Sequence, residues 1–245
     1  MQTAELLDAM GKYLVIGASG DIGKQITHDL LNKGHEVIAH YYQSDVTSLI
    51  ETFKDETISF VRFDLSQPIE STFLDEWMTN HLDGMIYAAG TSYFAPIQEV
   101  THESMDAQYQ IHFANLVRLT QYVLSGLLQK KHGRIIVISS IWGETGSATE
   151  SIYSGMKAAQ IGYIKSIAKE LAMTNITANV VTPGIVSGKM TLQLHNDEIQ
   201  DIISQLPQQR LISTEEISHA VMYLLDDLSQ SITGTVHSVN GGWYI

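Results

Sequence analysis

Along this chain, short β-rich apolar runs alternate with longer helical patterns from end to end, and that alternation leaves few folds open. The runs lie at Tyr13–Ile16, Glu36–Ala39, Ile58–Phe63, Met85–Ala88, Arg134–Ser139, Thr177–Val181 and Thr235–Val239. Helical segments fall between them at Ile22–Asn32, Ser48–Phe53, Leu74–Asn80, Met105–Gln129, Ile152–Met173, Asp197–Gln205 and Glu215–Leu225. Strands joined through helices pair in parallel, because only a long crossover brings the chain back in the same direction. The expectation is an α/β fold, a doubly wound parallel sheet of about seven strands with helices on both faces. No linker or internal repeat divides the 245 residues, so 1–245 is expected to form a single domain, with 1–11 as an N-terminal extension. Local signals agree. Ser213 precedes Glu216 by three positions, a capping-box pattern, and Pro68, Pro96, Pro183 and Pro207 fall outside the predicted strands and helix interiors.

With 44% apolar and 17% charged residues the chain is neither disordered nor a long coiled coil. Its net charge of −13 repels phosphate backbones and anionic lipid, so neither nucleic acid nor a membrane surface is an expected partner. The absence of cysteine excludes disulfides, thiolate metal sites and a cysteine nucleophile, and the ten histidines show no paired metal-ligand spacing, so no metal is expected. Glu5 and Asp8 stand where a signal peptide carries basic residues, and no run approaches ~18 apolar residues; a cytoplasmic location follows as an expectation.

Directly after the first run comes Gly17-Ala18-Ser19-Gly20-Asp21-Ile22-Gly23, which opens a helix. A Gly-rich turn in that place lets backbone N–H groups and the positive end of the helix dipole approach a pyrophosphate. Asp21 is expected to cap the helix. At the end of the second run, His40-Tyr41-Tyr42-Gln43-Ser44 contains no carboxylate to repel a 2′-phosphate and no arginine nearby to hold one, so NADP(H) is favoured over NAD(H) without being demanded.

A second constellation follows the fifth run: Ser140, then Tyr153, then Lys157 one helical turn further on. Residues four apart share a helix face, so the Lys157 ammonium can approach the Tyr153 phenol and is expected to lower its pKa from ~10. Ser140 can donate to a carbonyl oxygen on which negative charge accumulates. The set reads as a polar clamp for ketone reduction or its reverse.

Taken together these residues resemble the short-chain dehydrogenase/reductase family over essentially the whole chain. The likeness rests on Gly17–Gly23, Asp64-Leu65, Ala89-Gly90, Ser140, Tyr153-Ser154-Gly155-Met156-Lys157, Pro183-Gly184 and Asn240-Gly241-Gly242. It implies a Rossmann-type NAD(P)-dependent oxidoreductase in which Tyr153 is the proton donor, Lys157 holds the nicotinamide ribose and Ser140 positions the carbonyl. It also implies cofactor contacts at Gly17, Ser19, Gly20, Asp21, Ile22, Gly23, Tyr41, Asp64, Leu65, Ala89, Gly90, Pro183, Gly184 and Val186, and a homotetramer using the C-terminal strand. Within the family the chain looks most like 3-oxoacyl-acyl-carrier-protein reductases of fatty acid biosynthesis. The runs Ser139–Gly146 and Ser238–Trp243 look closer still to the elongation factor P 5-aminopentanone reductase branch. The resemblance implies acyl carrier protein or elongation factor P as a partner. A rival of another class is a non-enzymatic dinucleotide sensor, which has little reason to keep Ser140, Tyr153 and Lys157 together.

Several positions depart from the family pattern. Ala88 replaces an asparagine that braces a loop, Gly188 a threonine, and His112 the catalytic asparagine of the long helix, where an imidazole can relay protons. Lys130, Lys131 and Arg134 offer a basic docking patch for an acidic carrier, whereas Glu144, Asp197 and Glu198 suit a cationic substrate. Tyr93, Phe94, Trp142, Met190, Leu192 and Leu194 are candidates to line an apolar pocket.

Overall fold

The computed structural model describes residues 10–55, 57–70, 82–188, 191 and 196–245. Within them lie strands β1 (Lys12–Ile16), β2 (Glu36–Tyr41), β3 (Ile58–Arg62), β4 (Gly84–Tyr87), β5 (His132–Ile138), β6 (Asn175–Pro183) and β7 (Val236–Val239). They form one parallel sheet in the order β3-β2-β1-β4-β5-β6-β7, the architecture read from the sequence. The order reverses between β1 and β4, and at such a switch point the loops beyond the strand C-termini part to leave a crevice.

The helices are α1 (Asp21–Asn32), α2 (Val46–Phe53), α3 (His102–Tyr109), α4 (Asn115–Lys130), the single turn α5 (Trp142–Thr145), α6 (Ser151–Glu170), α7 (Asn196–Gln205) and α8 (Thr214–Leu225). Alternation along β1 shows why both faces need cover. Leu14 and Ile16 enter a buried cluster with Leu116, Leu119 and Leu127 of α4 and Ile161 and Ile164 of α6. Tyr13 and Val15 face the other way, packing with Ile26 and Leu30 of α1 and Ile217 and Val221 of α8. Each fully buried aliphatic side chain contributes about 1.5–3 kcal/mol, so the two faces hold the sheet with comparable strength.

The capping box at Ser213 and Glu216 is present, with both reciprocal bonds formed. Three local expectations change. The helix predicted over Met105–Gln129 is interrupted by a π-helical turn at Gln110–Ala114 that carries His112. Pro183 is not outside a strand; it ends β6 opposite Val239, where its missing N–H interrupts nothing because the strand stops there. The one-turn helix α5 was not anticipated. The predicted helix Leu74–Asn80 lies outside the described residues, as do Met190, Leu192 and Leu194.

Candidate active site

The Gly-rich turn sits at the mouth of the crevice. Gly17 has φ +84°, and a Cβ there would lie 2.7 Å from the Ala89 nitrogen, so only glycine lets β1 end this close to the loop after β4. A Cβ at Gly23 would lie 2.1 Å from the Gly17 carbonyl oxygen, so this glycine lets the first turn of α1 close onto the loop. The helix cap is Gly20, not Asp21 as expected, and it offers no side-chain acceptor. The amides of a first helical turn have no intrahelical partners, and Gly20 supplies no side chain to satisfy them. This uncapped start, with Gly20 exposed, fits a dinucleotide pyrophosphate. Asp21 is the first helical residue, and its carboxylate lies against Gly188, where a Cβ would stand 2.6 Å from Oδ2.

His40 fixes the turn from below. Its Nδ1 accepts from the Gly17 amide at 3.1 Å, its Nε2 donates to the Phe63 carbonyl at 3.0 Å, and its own carbonyl accepts from Ala18 at 2.9 Å. Burial lowers its pKa to about 4, so the ring is neutral and this pair of bonds sets its tautomer. At the ends of β2 and β3, Tyr41 pairs in register with Arg62. The Arg62 Nε donates to the Tyr42 carbonyl at 3.0 Å, so an arginine does lie where the sequence reading found none. Burial opposes ionisation of Asp64, but hydrogen bonds from Ser66 and Tyr42 together outweigh it and hold the carboxyl below its ordinary range. Leu65, next in the chain, is buried.

Ser140, Tyr153 and Lys157 meet at the C-terminal ends of β5 and β6. Ser140 follows β5, and its Oγ accepts from the Trp142 amide at 3.2 Å and hydrogen-bonds Tyr153. Lys157 is buried, donates to the Ile138 carbonyl at 2.9 Å, and stands 5.6 Å from the centre of the Tyr153 ring. Ser139 holds the same helix by donating to the Lys157 carbonyl at 2.9 Å. The expected depression of the phenol pKa is not found: burial pushes Tyr153 up to about 12, with the Ser140 bond acting weakly against it. Burial also lowers Lys157 to about 7, which weakens the very charge the expectation relied on.

His112 closes the floor of the site. A Cβ on the exposed Gly90 would stand 2.9 Å from its Cε1 and 3.5 Å from both its Nδ1 and the Lys157 Nζ. The His112 Nε2 lies 3.0 Å from the Thr91 carbonyl, and its buried Nδ1 has no hydrogen-bond partner. Gln160 donates to the His112 carbonyl at 2.7 Å, capping the π-helical turn from α6.

The family profile described as Enoyl-(Acyl carrier protein) reductase matches residues 17–244. The chain belongs to the short-chain dehydrogenase/reductase family. It is 35% identical to the uncharacterized oxidoreductase YmfI of Bacillus subtilis over 236 residues, 94% of this chain and 98% of that protein. It is 33% identical to the acetoacetyl-CoA reductase of an Acinetobacter species, covering 95% and 97%. It is 31% identical to the Escherichia coli 3-oxoacyl-[acyl-carrier-protein] reductase FabG, covering 95% and 96%. The solved structure of ElxO with NADP bound superposes with a TM-score of 0.86 at 25% identity, over 96% of this chain and 98% of that one.

In this short-chain dehydrogenase/reductase the basic patch foreseen before β5 is not a free surface. Arg134 is buried and donates to Asp227 at 3.3 Å, and Lys130 pairs with Asp83 at 2.7 Å, which leaves Lys131 exposed beside them. Pro183 and Gly184 sit at the end of β6, where the Gly184 amide donates to Val239. Val186 bridges to Ile212 and shapes the loop beyond them. Of the apolar candidates, Trp142 packs edge-on against Trp243 at 5.0 Å and Phe94 is largely exposed. Sequence reasoning missed Asn115, which is fully buried. Its amide donates to the Leu65 and Gln67 carbonyls, both at 2.8 Å, and its oxygen accepts from Ile69, so it moulds the loop after β3. An asparagine amid the apolar face of a helix was the available signal.

Proposed function

We propose that this chain is an NADPH-dependent ketone reductase acting on a 3-oxoacyl thioester, with Tyr153 as proton donor. The observation that carries the reading is the Tyr153 hydroxyl itself: hydrogen-bonded to Ser140 and kept protonated by burial, it is a donor at neutral pH. When bound, the nicotinamide supplies the hydride that adds to the carbonyl carbon. Tyr153 gives its proton to the carbonyl oxygen, Ser140 donates a hydrogen bond to that oxygen as charge develops, and Lys157 carries the replacement proton toward the phenolate. His112, with a bare Nδ1 facing the same floor, takes the place of the family's asparagine in that relay. The turn Gly17–Gly23 holds the pyrophosphate. Tyr41, Asp64 and Leu65 would hold the adenosine half, and Ala89, Gly90, Pro183, Gly184 and Val186 the nicotinamide half.

The named activities of the acetoacetyl-CoA and 3-oxoacyl-[acyl-carrier-protein] reductases support the thioester. A second reading, the 5-aminopentanone reductase of elongation factor P, is favoured by one feature, the buried Glu150 carboxylate close enough to act on Tyr153. An anion there suits an ammonium-bearing ketone. The reading also includes a cytoplasmic homotetramer, for which β7 offers a partly exposed strand at the sheet edge.

Oxidation of NADPH on acetoacetyl thioester by the wild-type chain, lost in Tyr153→Phe with NADPH binding intact, is the expected result. Turnover confined to an aminoketone or a modified protein lysine transfers the assignment to the second reading. Unchanged turnover in Tyr153→Phe removes the phenol from its role.

A further inference from the structure

We infer that Arg62 is the residue that makes this chain select a dinucleotide carrying a 2′-phosphate, an inference that rests on the dinucleotide reading above. Arg62 is the last residue of β3, opposite Tyr41, and its side chain is exposed at the sheet end that carries the Gly-rich turn. Ala18 of that turn donates to the His40 carbonyl, so the end of β2 adjoins the phosphate cradle, and Arg62 stands one strand further out. An adenosine extending from the cradle past β2 brings its 2′ position to this edge.

The guanidinium is prepared for an anion in three ways. Its Nε is fixed to the Tyr42 carbonyl at 3.0 Å, and its Cζ lies 5.9 Å from the centre of the Tyr42 ring, so the plane is oriented before any ligand arrives. Both terminal nitrogens are without a hydrogen-bond or ion partner among the described residues, which leaves the fork open for a phosphate. Asp64, the nearest acid in sequence, is engaged elsewhere: its carboxylate takes bonds from Ser66 and Tyr42, and Arg62 is not among the groups that stabilise it. The Tyr42–Asp64 bond in turn holds the ring against which Arg62 lies.

Arg62→Gln keeps a polar, hydrogen-bonding side chain and removes its charge. Dissociation constants for NADPH and NADH are measured by fluorescence titration, with 2′,5′-ADP and 5′-AMP as cofactor fragments that report on this edge alone. Loss of a charge-assisted contact is expected to weaken NADPH and 2′,5′-ADP by about 10- to 100-fold while NADH and 5′-AMP stay within about twofold. Arg62→Lys, which keeps the charge but not the fork, should recover part of the loss. Raising salt should erode NADPH affinity in the wild type more than in Arg62→Gln. An unchanged NADPH-to-NADH ratio in Arg62→Gln, or a wild type that prefers NADH, overturns the role of Arg62 and leaves the dinucleotide reading standing. A wild-type chain that binds neither nucleotide overturns both.

Discussion

The imidazole of His112 meets the ring of Tyr153 edge to face, with 5.3 Å between centroids and 89° between planes. A residue that departs from the family pattern is thus in contact with the phenol at the centre of the site. Burial and the nearby Lys157 lower the His112 pKa to about 3, so it works as a neutral ring. Its Nε2 lies 3.0 Å from the Thr91 carbonyl and 3.4 Å from the Thr91 amide; the shorter contact favours the proton on Nε2, which leaves Nδ1 to accept.

An asparagine can present an acceptor in the same place. His112→Asn is expected to retain kcat within about tenfold of wild type, whereas His112→Phe, which fills the space without an acceptor, should lose most turnover. Steady-state kinetics on folded variants, checked by circular dichroism, decide this; a folded but inactive His112→Asn overturns the equivalence. Because the ring stays neutral well below neutrality, neither variant should shift the pH profile above pH 5.

Two of the buried histidines, His40 and His112, predict acid sensitivity. His40 and His112 titrate at about 4 and about 3 in the folded chain, against 6.5 for a free side chain. As pH falls below about 6.5 the unfolded chain takes up protons that the folded chain refuses, so stability drops until those lower values are reached. For His40 alone the loss is roughly 3 kcal/mol. Urea midpoints at pH 7.5 and pH 5 should differ clearly in the wild type and by less in His40→Gln, which starts from a lower stability.

Gly143 is expected to be intolerant of a side chain. A Cβ there would lie 2.7 Å from the carbonyl carbon of Lys157, and α6 cannot retreat without moving Tyr153 and Lys157 together. Gly143→Ala should cost about 1–3 kcal/mol in thermal unfolding and reduce kcat by at least about tenfold. Wild-type kinetics in this variant would show that the loop yields instead of the helix.

Asn115→Ala strips partners from the Leu65 and Gln67 carbonyls and from the Ile69 amide inside the fold. Stability should fall by about 2–4 kcal/mol in urea denaturation, and affinity for the adenosine half of the cofactor should fall with it. Retained affinity in a destabilised variant would separate the loop from binding.

The order of strands and helices was legible because strands buried on both faces read as short continuous apolar runs, which stand apart from the helical periodicity between them. Ser140, Tyr153, Lys157 and the Gly17–Gly23 turn were legible because each stands at a fixed place relative to a strand end. What stayed hidden depends on neighbours distant in sequence. Arg62 belongs beside Tyr42 only once β3 pairs with β2, and Arg134 leaves the surface only once Asp227 reaches it. The phenol pKa was misjudged for the same reason: helical spacing shows that an amine is near, but not that both groups lose their water.

The pinning of His40 between Gly17 and Phe63 has a consequence for redesign. One imidazole stitches the Gly-rich turn, the proposed pyrophosphate cradle, to the strand ends proposed to receive adenosine, so the two behave as a single mechanical part. Under the proposed reading, cofactor choice is open to change at Tyr41, Tyr42 or Arg62 with that stitch intact, whereas a substitution reaching one residue further back, to His40, is expected to slacken the grip on either nucleotide alike.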